Sequence, residues 1–253
     1  MSCSVGELGL KFFVPAVAAL VMCSVPALAG PPYVTDDPQP TDNGHFEIYA
    51  FTAGTKTEDV LSGQGGIDFN YGGAADLQLT MVLPLAYDAP SRGPSVAGVG
   101  DIEFAAKYRF LHQEDFGVDV AFFPRLFLPT NSNSALGNKH VALFLPFFVQ
   151  KDWGDWSIFG GGGCTLNRGG NSEDFCQMGV VLNRRIVSQL QVGLELYRQT
   201  PDERGARQAT GFDVGAIYDL SENLHFLASA GRGVQNADAN NQASWYAALL
   251  FTY

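Results

Sequence analysis

From Gly44 to the last residue, apolar side chains return at every second position, segment after segment, with polar residues between them. A period of two puts the two sets on opposite faces of a β-strand, because successive side chains point to opposite sides of the pleat. The stretch Gly98 to Phe110 carries the pattern clearly: Ile102, Phe104, Ala106, Tyr108 and Phe110 form one row, and Asp101, Glu103, Lys107 and Arg109 dominate the other. A water-soluble sandwich would bury the apolar row, whereas a membrane barrel turns it to lipid and gives the charged row to a wet interior. One strand satisfies both architectures, so the remaining segments have to decide.

The spacing predicts strands over His45–Thr52, Ile67–Tyr71, Ala75–Tyr87, Gly98–Phe110, Phe116–Thr130, Lys139–Gln150, Trp156–Thr165, Phe175–Asn183, Ser188–Arg198, around Phe212–Ala216, Leu224–Gly233 and Trp245–Tyr253. That is about twelve, an even number, many near the length that crosses a bilayer at a tilt. The separators alternate in length. Polar stretches such as Gly54–Gly66, Asp88–Ala97, Asn131–Asn138, Gln199–Arg207 and Val234–Gln242 are long, while Gly72–Gly73, His112–Asp115, Lys151–Asp155 and Asp219–Asn223 are short. With both termini in the periplasm, every short connection falls on the periplasmic side and every long one outside, the asymmetry of a transmembrane antiparallel β-barrel. Closure also removes the unpaired edges that a sandwich must protect. The final strand, with Trp245, Ala247, Leu249, Phe251 and Tyr253 in one row, resembles the terminal strand that the barrel-insertion machinery of the bacterial outer membrane reads.

No apolar run of the roughly 18 residues needed for a membrane helix follows the first 30 positions. Those positions read as a secretory signal, 1–29, with Lys11 before the apolar run Phe12–Val25 and small residues Ala27 and Ala29 before Gly30. Cys3 and Cys23 leave with it. Cys164 and Cys176 remain, on the same face and equidistant from Gly170, so a hairpin would set them opposite each other as a disulfide candidate. Residues 30–43 hold four prolines without periodicity and read as an irregular arm, lying in the periplasm or plugging the barrel mouth. The barrel itself is assigned to 44–253.

A formal charge of −11 without a cluster of Lys and Arg excludes a nucleic-acid partner. The adjacent carboxylates Asp36 and Asp37 lack further ligands for a metal, and Gly160–Gly163 is not followed by the Gly-Lys-Ser/Thr of a phosphate loop, so no cofactor is expected. Glycine there serves bending or the close approach of another segment. The inward rows are expected to line the lumen with Glu47, Asp68, Asp76, Asp101, Glu103, Lys107, Arg109, Asp119, Arg125, Glu195 and Asp213, and with the aromatics Tyr49, Phe123, Phe144, Phe148 and Tyr197. Acids facing Lys107, Arg109 and Arg125 would form ion pairs across the interior that brace it.

The arm's Thr35-Asp36-Asp37-Pro38, the opening Gly98-Val99-Gly100-Asp101 with its ending Lys107-Tyr108-Arg109-Phe110, and Leu128-Pro129-Thr130 are similar to a family of outer-membrane channels associated with phenol (meta-pathway) and other aromatic-degradation loci. Asn131 stands where that family is expected to carry glycine. The resemblance implies a β-barrel in the bacterial outer membrane, surrounded by its lipid, that passes small solutes, aromatic compounds among them. Two other readings compete: a closed barrel of structural or adhesive role, and an outer-membrane lipase or acyltransferase. The second lacks a nucleophile elbow, and His45, His112, His140 and His225 are scattered. Neither the oligomeric state nor the solute is legible in the chain.

Overall fold

The computed structural model describes residues 31–253 except 132, 134, 139, 168, 170 and 171, so the signal segment 1–29 lies outside the described residues. Its strands are β1 (Phe46–Lys56), β2 (Val60–Ala74), β3 (Leu77–Pro90), β4 (Val96–Val99), β5 (Ile102–Leu111), β6 (Asp119–Phe122) and β7 (Arg125–Leu128). They continue through β8 (Ala142–Trp153), β9 (Trp156–Leu166), β10 (Phe175–Val187), β11 (Leu190–Gln199), β12 (Ala209–Asp219), β13 (Leu224–Gln235) and β14 (Ala243–Thr252). Two single helical turns, α1 (Gln113–Phe116) and α2 (Ala237–Asn240), interrupt them.

Fourteen segments make twelve wall strands. Both β4 and β5 pair with β3 and form one wall strand broken at Gly100–Asp101. Likewise β6 and β7 both lie between β5 and β8 and form another, broken at Phe123–Pro124. All pairs are antiparallel between neighbours in sequence, and β1 closes the ring on β14 from Glu47↔Thr252 to Lys56↔Ala243. Among the described residues each wall strand pairs with both neighbours, except along β4, which pairs with β3 alone.

The wall corrects three sequence expectations. The strand expected over Phe116–Thr130 is not continuous: Phe116 belongs to α1, which Gly117 ends in the left-handed region at φ 80°, and Pro124 has no N–H to give the ladder. Gly98–Phe110 is likewise divided, where the Gly100 N–H turns to the carbonyl of Pro84 at 2.9 Å. The long loop expected over Gly54–Gly66 is mostly strand, with only residues 57–59 between β1 and β2. Its glycines answer close packing instead of a turn: a Cβ on Gly63 would fall 2.6 Å from the Tyr87 hydroxyl. Four of the five inner connections are two to four residues long, as in outer-membrane barrels; the turn expected over His112–Asp115 is instead seven residues, 112–118, and holds α1.

Burial inverts the order of a water-soluble protein. Tyr108 is 53% exposed and Phe104 44%, whereas Lys107 between them in sequence is 4% exposed and Glu103 5%. The same contrast runs along β11, with Leu194 and Leu196 exposed and Glu195 fully buried. An apolar band facing out around a polar interior is stable only where the outside is hydrocarbon. Cys164 and Cys176 stand in register on β9 and β10 and are joined by a disulfide. They lie at the outer end of that hairpin.

Candidate functional site: the lumen and its arm

Residues 31–43 run inside the ring and meet both sides of it. On one side the Glu195 carboxylate accepts two successive backbone N–H groups, from Val34 at 2.8 Å and Thr35 at 2.7 Å. Tyr33 donates its hydroxyl to the Asn183 Oδ1 at 2.9 Å, and Ser229 donates to the carbonyl of Pro32 at 2.6 Å. The room comes from glycine. A Cβ on Gly215 would lie 2.7 Å from the Tyr33 ring, and one on Gly179 would collide with the Thr35 hydroxyl. On the opposite side Lys107 donates to Asp36 at 2.9 Å and approaches Asp37 at 3.7 Å. Further down, the Thr41 N–H reaches the Gln78 Oε1 at 2.9 Å.

The wall supplies polar side chains at these points because its inward row is polar at every second residue. Arg125 forms a forked pair with Glu103, Nε–Oε1 2.6 Å and Nη2–Oε2 2.9 Å, and lies over the rings of Phe123 and Phe127. Such a fork fixes both partners in orientation. Asn70, Gln78 and Thr80 close a hydrogen-bonded triangle on β2 and β3. Asp68 lies beside it, receiving the Asn70 amide at 3.0 Å. Glu195 and Asp213 face each other in register on β11 and β12, and Asp213 accepts from Ser244 at 3.2 Å.

Of the remaining residues expected in the lumen, Glu47 accepts from the Tyr49 hydroxyl at 3.2 Å. Arg109 reaches Asp76 at 2.8 Å, Asp119 at 3.7 Å and the side-chain carbonyl of Gln39. Two positions differ from the expected wall. Asp76 lies in the β2–β3 turn at φ 62°, outside the strand, where it also meets His112 at 3.2 Å. Asp101 occupies the break between β4 and β5 and accepts the Asn138 N–H at 2.5 Å, tying down the outer loop. Asn183, Gln78, Gln39 and the glycines facing the arm were not marked by sequence reasoning. The visible signal was glycine in a polar row, as at Gly193 and Gly215, where a side chain would otherwise stand.

Three cavities follow one another around the arm. The outer one, about 480 Å³, is bordered by Phe144, Phe148, Tyr197, Trp245, Tyr246 and Tyr33. The middle one, about 250 Å³, lies among Tyr49, Asp68, Gln78, Glu103, Phe123 and Arg125. The inner one, about 730 Å³, opens between the short turns. Beside it a core of Tyr49, Ile217, Leu227, Ala248 and Leu250 fills the ring near the closing seam. On the arm, burial pushes the Asp37 carboxyl up to about 7 against the opposing pull of Lys107, and burial also raises the Tyr33 hydroxyl. Among the described residues no three His, Cys, Asp or Glu are grouped to hold a metal ion.

Among curated proteins none matches the chain. Among solved structures, an outer-membrane channel from Pseudomonas putida F1 superimposes with a TM-score of 0.74 at 14% identity, over 86% of this chain and 98% of that one. The beta domain of the Bordetella autotransporter BrkA gives 0.54 at 14% identity, over 83% and 99%. At such identity these likenesses speak for the fold. Together with the inverted burial, they make the chain a closed barrel of the bacterial outer membrane. Residues 31–251, from the arm to the last strand, match the family described as "Putative MetA-pathway of phenol degradation", and the chain belongs to that family.

Proposed function

We propose that the barrel is a passive channel for small solutes, including aromatic or hydrophobic compounds, and that residues 31–43 are the plug that sets how far it opens. The observation that carries this reading is the series of three cavities from one mouth to the other, each bordered by the arm. Aromatic rings border the outer and middle cavities, where Phe144, Phe148, Tyr197, Tyr49 and Phe123 offer flat apolar faces. Such faces bind a ring-bearing solute with little ordering cost, while the polar residues between them keep the path wet. The likeness to the P. putida outer-membrane channel supports this reading.

The test is single-channel conductance and liposome swelling of the refolded barrel, with and without residues 31–43. Removing the arm is expected to raise the conductance, and aromatic solutes are expected to reduce the current by competition. Silence in both forms would instead favour a closed barrel with a structural or adhesive role.

A further inference from the structure

The inner cavity differs in charge from the rest of the path. Its border carries Asp42, Glu114, Asp119, Asp152, Asp219 and Glu222, with Glu47 above them, against two arginines, Arg109 and Arg185. Arg109 is already held by Asp76 and Asp119, and Asp219 by His225 at 2.7 Å. Asp42, Glu114 and Glu222 are exposed, and their carboxylates have no ion-pair partner among the described residues. Higher in the lumen the cations are neutralised where they stand, Lys107 by Asp36 and Arg125 by Glu103. The outer cavity is balanced, with Asp202 and Asp213 against Arg198 and Arg207.

A second observation points into the same chamber. Gln191 borders it, is only 6% exposed, and its carboxamide has no hydrogen-bond partner among the described residues. Its amide atoms are not sealed from the chamber, so they are free to meet what enters it. Its carbonyl oxygen, among carboxylates, suits a cation or a donor group carried by one.

We propose that this periplasmic chamber selects for cations, so that the pore passes small inorganic cations and ammonium-bearing solutes in preference to anions. The inference rests on the channel reading above. Low-dielectric walls lined by one sign of charge focus the field and concentrate the opposite ion. Because the acidic excess is larger at this end than around the middle cavity, where Asp36, Glu47, Asp68 and Glu103 face Lys107 and Arg125, the preference is oriented, with cations gathered at the periplasmic mouth.

Reversal potentials of the full mature chain in planar bilayers under a KCl gradient test this. At about 0.1 M salt the permeability ratio of K⁺ to Cl⁻ is expected to be about 3 or more. The variant D42N/E114Q/E222Q, which removes three charges without touching a hydrogen bond of the barrel, should bring the ratio toward one. Asp202→Asn at the outer mouth should leave it within a factor of about 1.5. Raising the salt to about 1 M shortens the screening length to about 3 Å and should abolish the preference in the unaltered protein, a check that needs no variant. A ratio at or below one, or a preference that survives both the triple change and high salt, overturns the proposal while leaving the channel intact. Absence of current from the full chain and from a form lacking residues 31–40 overturns both.

Discussion

The two sides of the ring hold the arm by different physics. Across β10, β11 and β12 the wall strands are unbroken, with one register shift between Arg185 and Val187, and they grip the arm by shape and backbone hydrogen bonds: glycines open the space, Asn183 takes the Tyr33 hydroxyl, and Glu195 takes two amides. Across β3 to β7 two wall strands are broken, and the grip is ionic, one ammonium between two carboxylates. Glu195 meets the arm through backbone N–H groups without a cation, whereas Asp36 and Asp37, which accept the N–H groups of Asp37 and Gln39 within the arm, meet the wall through Lys107. The shape-based side should therefore tolerate changes of charge, and the ionic side should fail on the loss of a single group.

Lys107→Met is expected to have the largest effect. It strands two buried or half-buried acids, and removing one partner of a buried pair costs about 3–5 kcal/mol. Protease sensitivity of the arm and channel open probability should both rise steeply, with the barrel's heat-modified gel shift retained. An arm that stays protected would show that the regular side alone suffices.

Acidity probes the same side more gently. Burial holds the Asp37 carboxyl protonated up to about pH 7 when the arm is docked, while a released arm ionises near its ordinary value of about 4. The docked state thus binds more protons between those limits, so docking tightens as the pH falls from about 7 to about 4 and is weakest above 7. Closed dwell times should lengthen at pH 5 relative to pH 8, and Asp37→Asn should flatten the trend. Longer closures at pH 8 would contradict this account.

The smallest effect is expected on the other side. Gly215→Ala places a methyl group against the Tyr33 ring, and overpacking of this kind costs about 1–3 kcal/mol. Tyr33→Ala in the same chain should relieve the clash, so that the double variant releases its arm less than additivity predicts. Additive behaviour would mean that the glycine serves the wall and not the arm.

How much of this was legible depended on whether a property repeats. The outward rows repeat at every second residue along β5, β8 and β11, so the barrel and the inward placement of Glu103, Lys107 and Glu195 could be read directly from the alternation. Pro124 and Gly100 break the ladder without disturbing that alternation, since Asp119, Phe123 and Arg125 still fall on one parity, and the interruptions left no trace in the period. The loop expected around Gly54–Gly66 shows the converse. Glycine marks turns and close contacts alike, and only the presence of Trp245 and Tyr87 against Gly54 and Gly63 distinguishes them. The pairing of arm with wall joins residues some 160 positions apart, with no local pattern to announce it.

The seam between β1 and β14 has a consequence for assembly. It joins the first wall strand to the last, so the ring can close only after the whole chain has been synthesised and the intervening hairpins laid down. The arm is continuous with the leading edge of β1, and the Asn43↔Gly72 bridge fixes where it turns inward. An open, curved sheet exposes β11 and β12 to that leader before the edges meet, and once they meet its only routes are the two mouths. The connectivity thus leaves the leader two ways to its seat, against the open sheet before the edges meet or through a mouth afterwards.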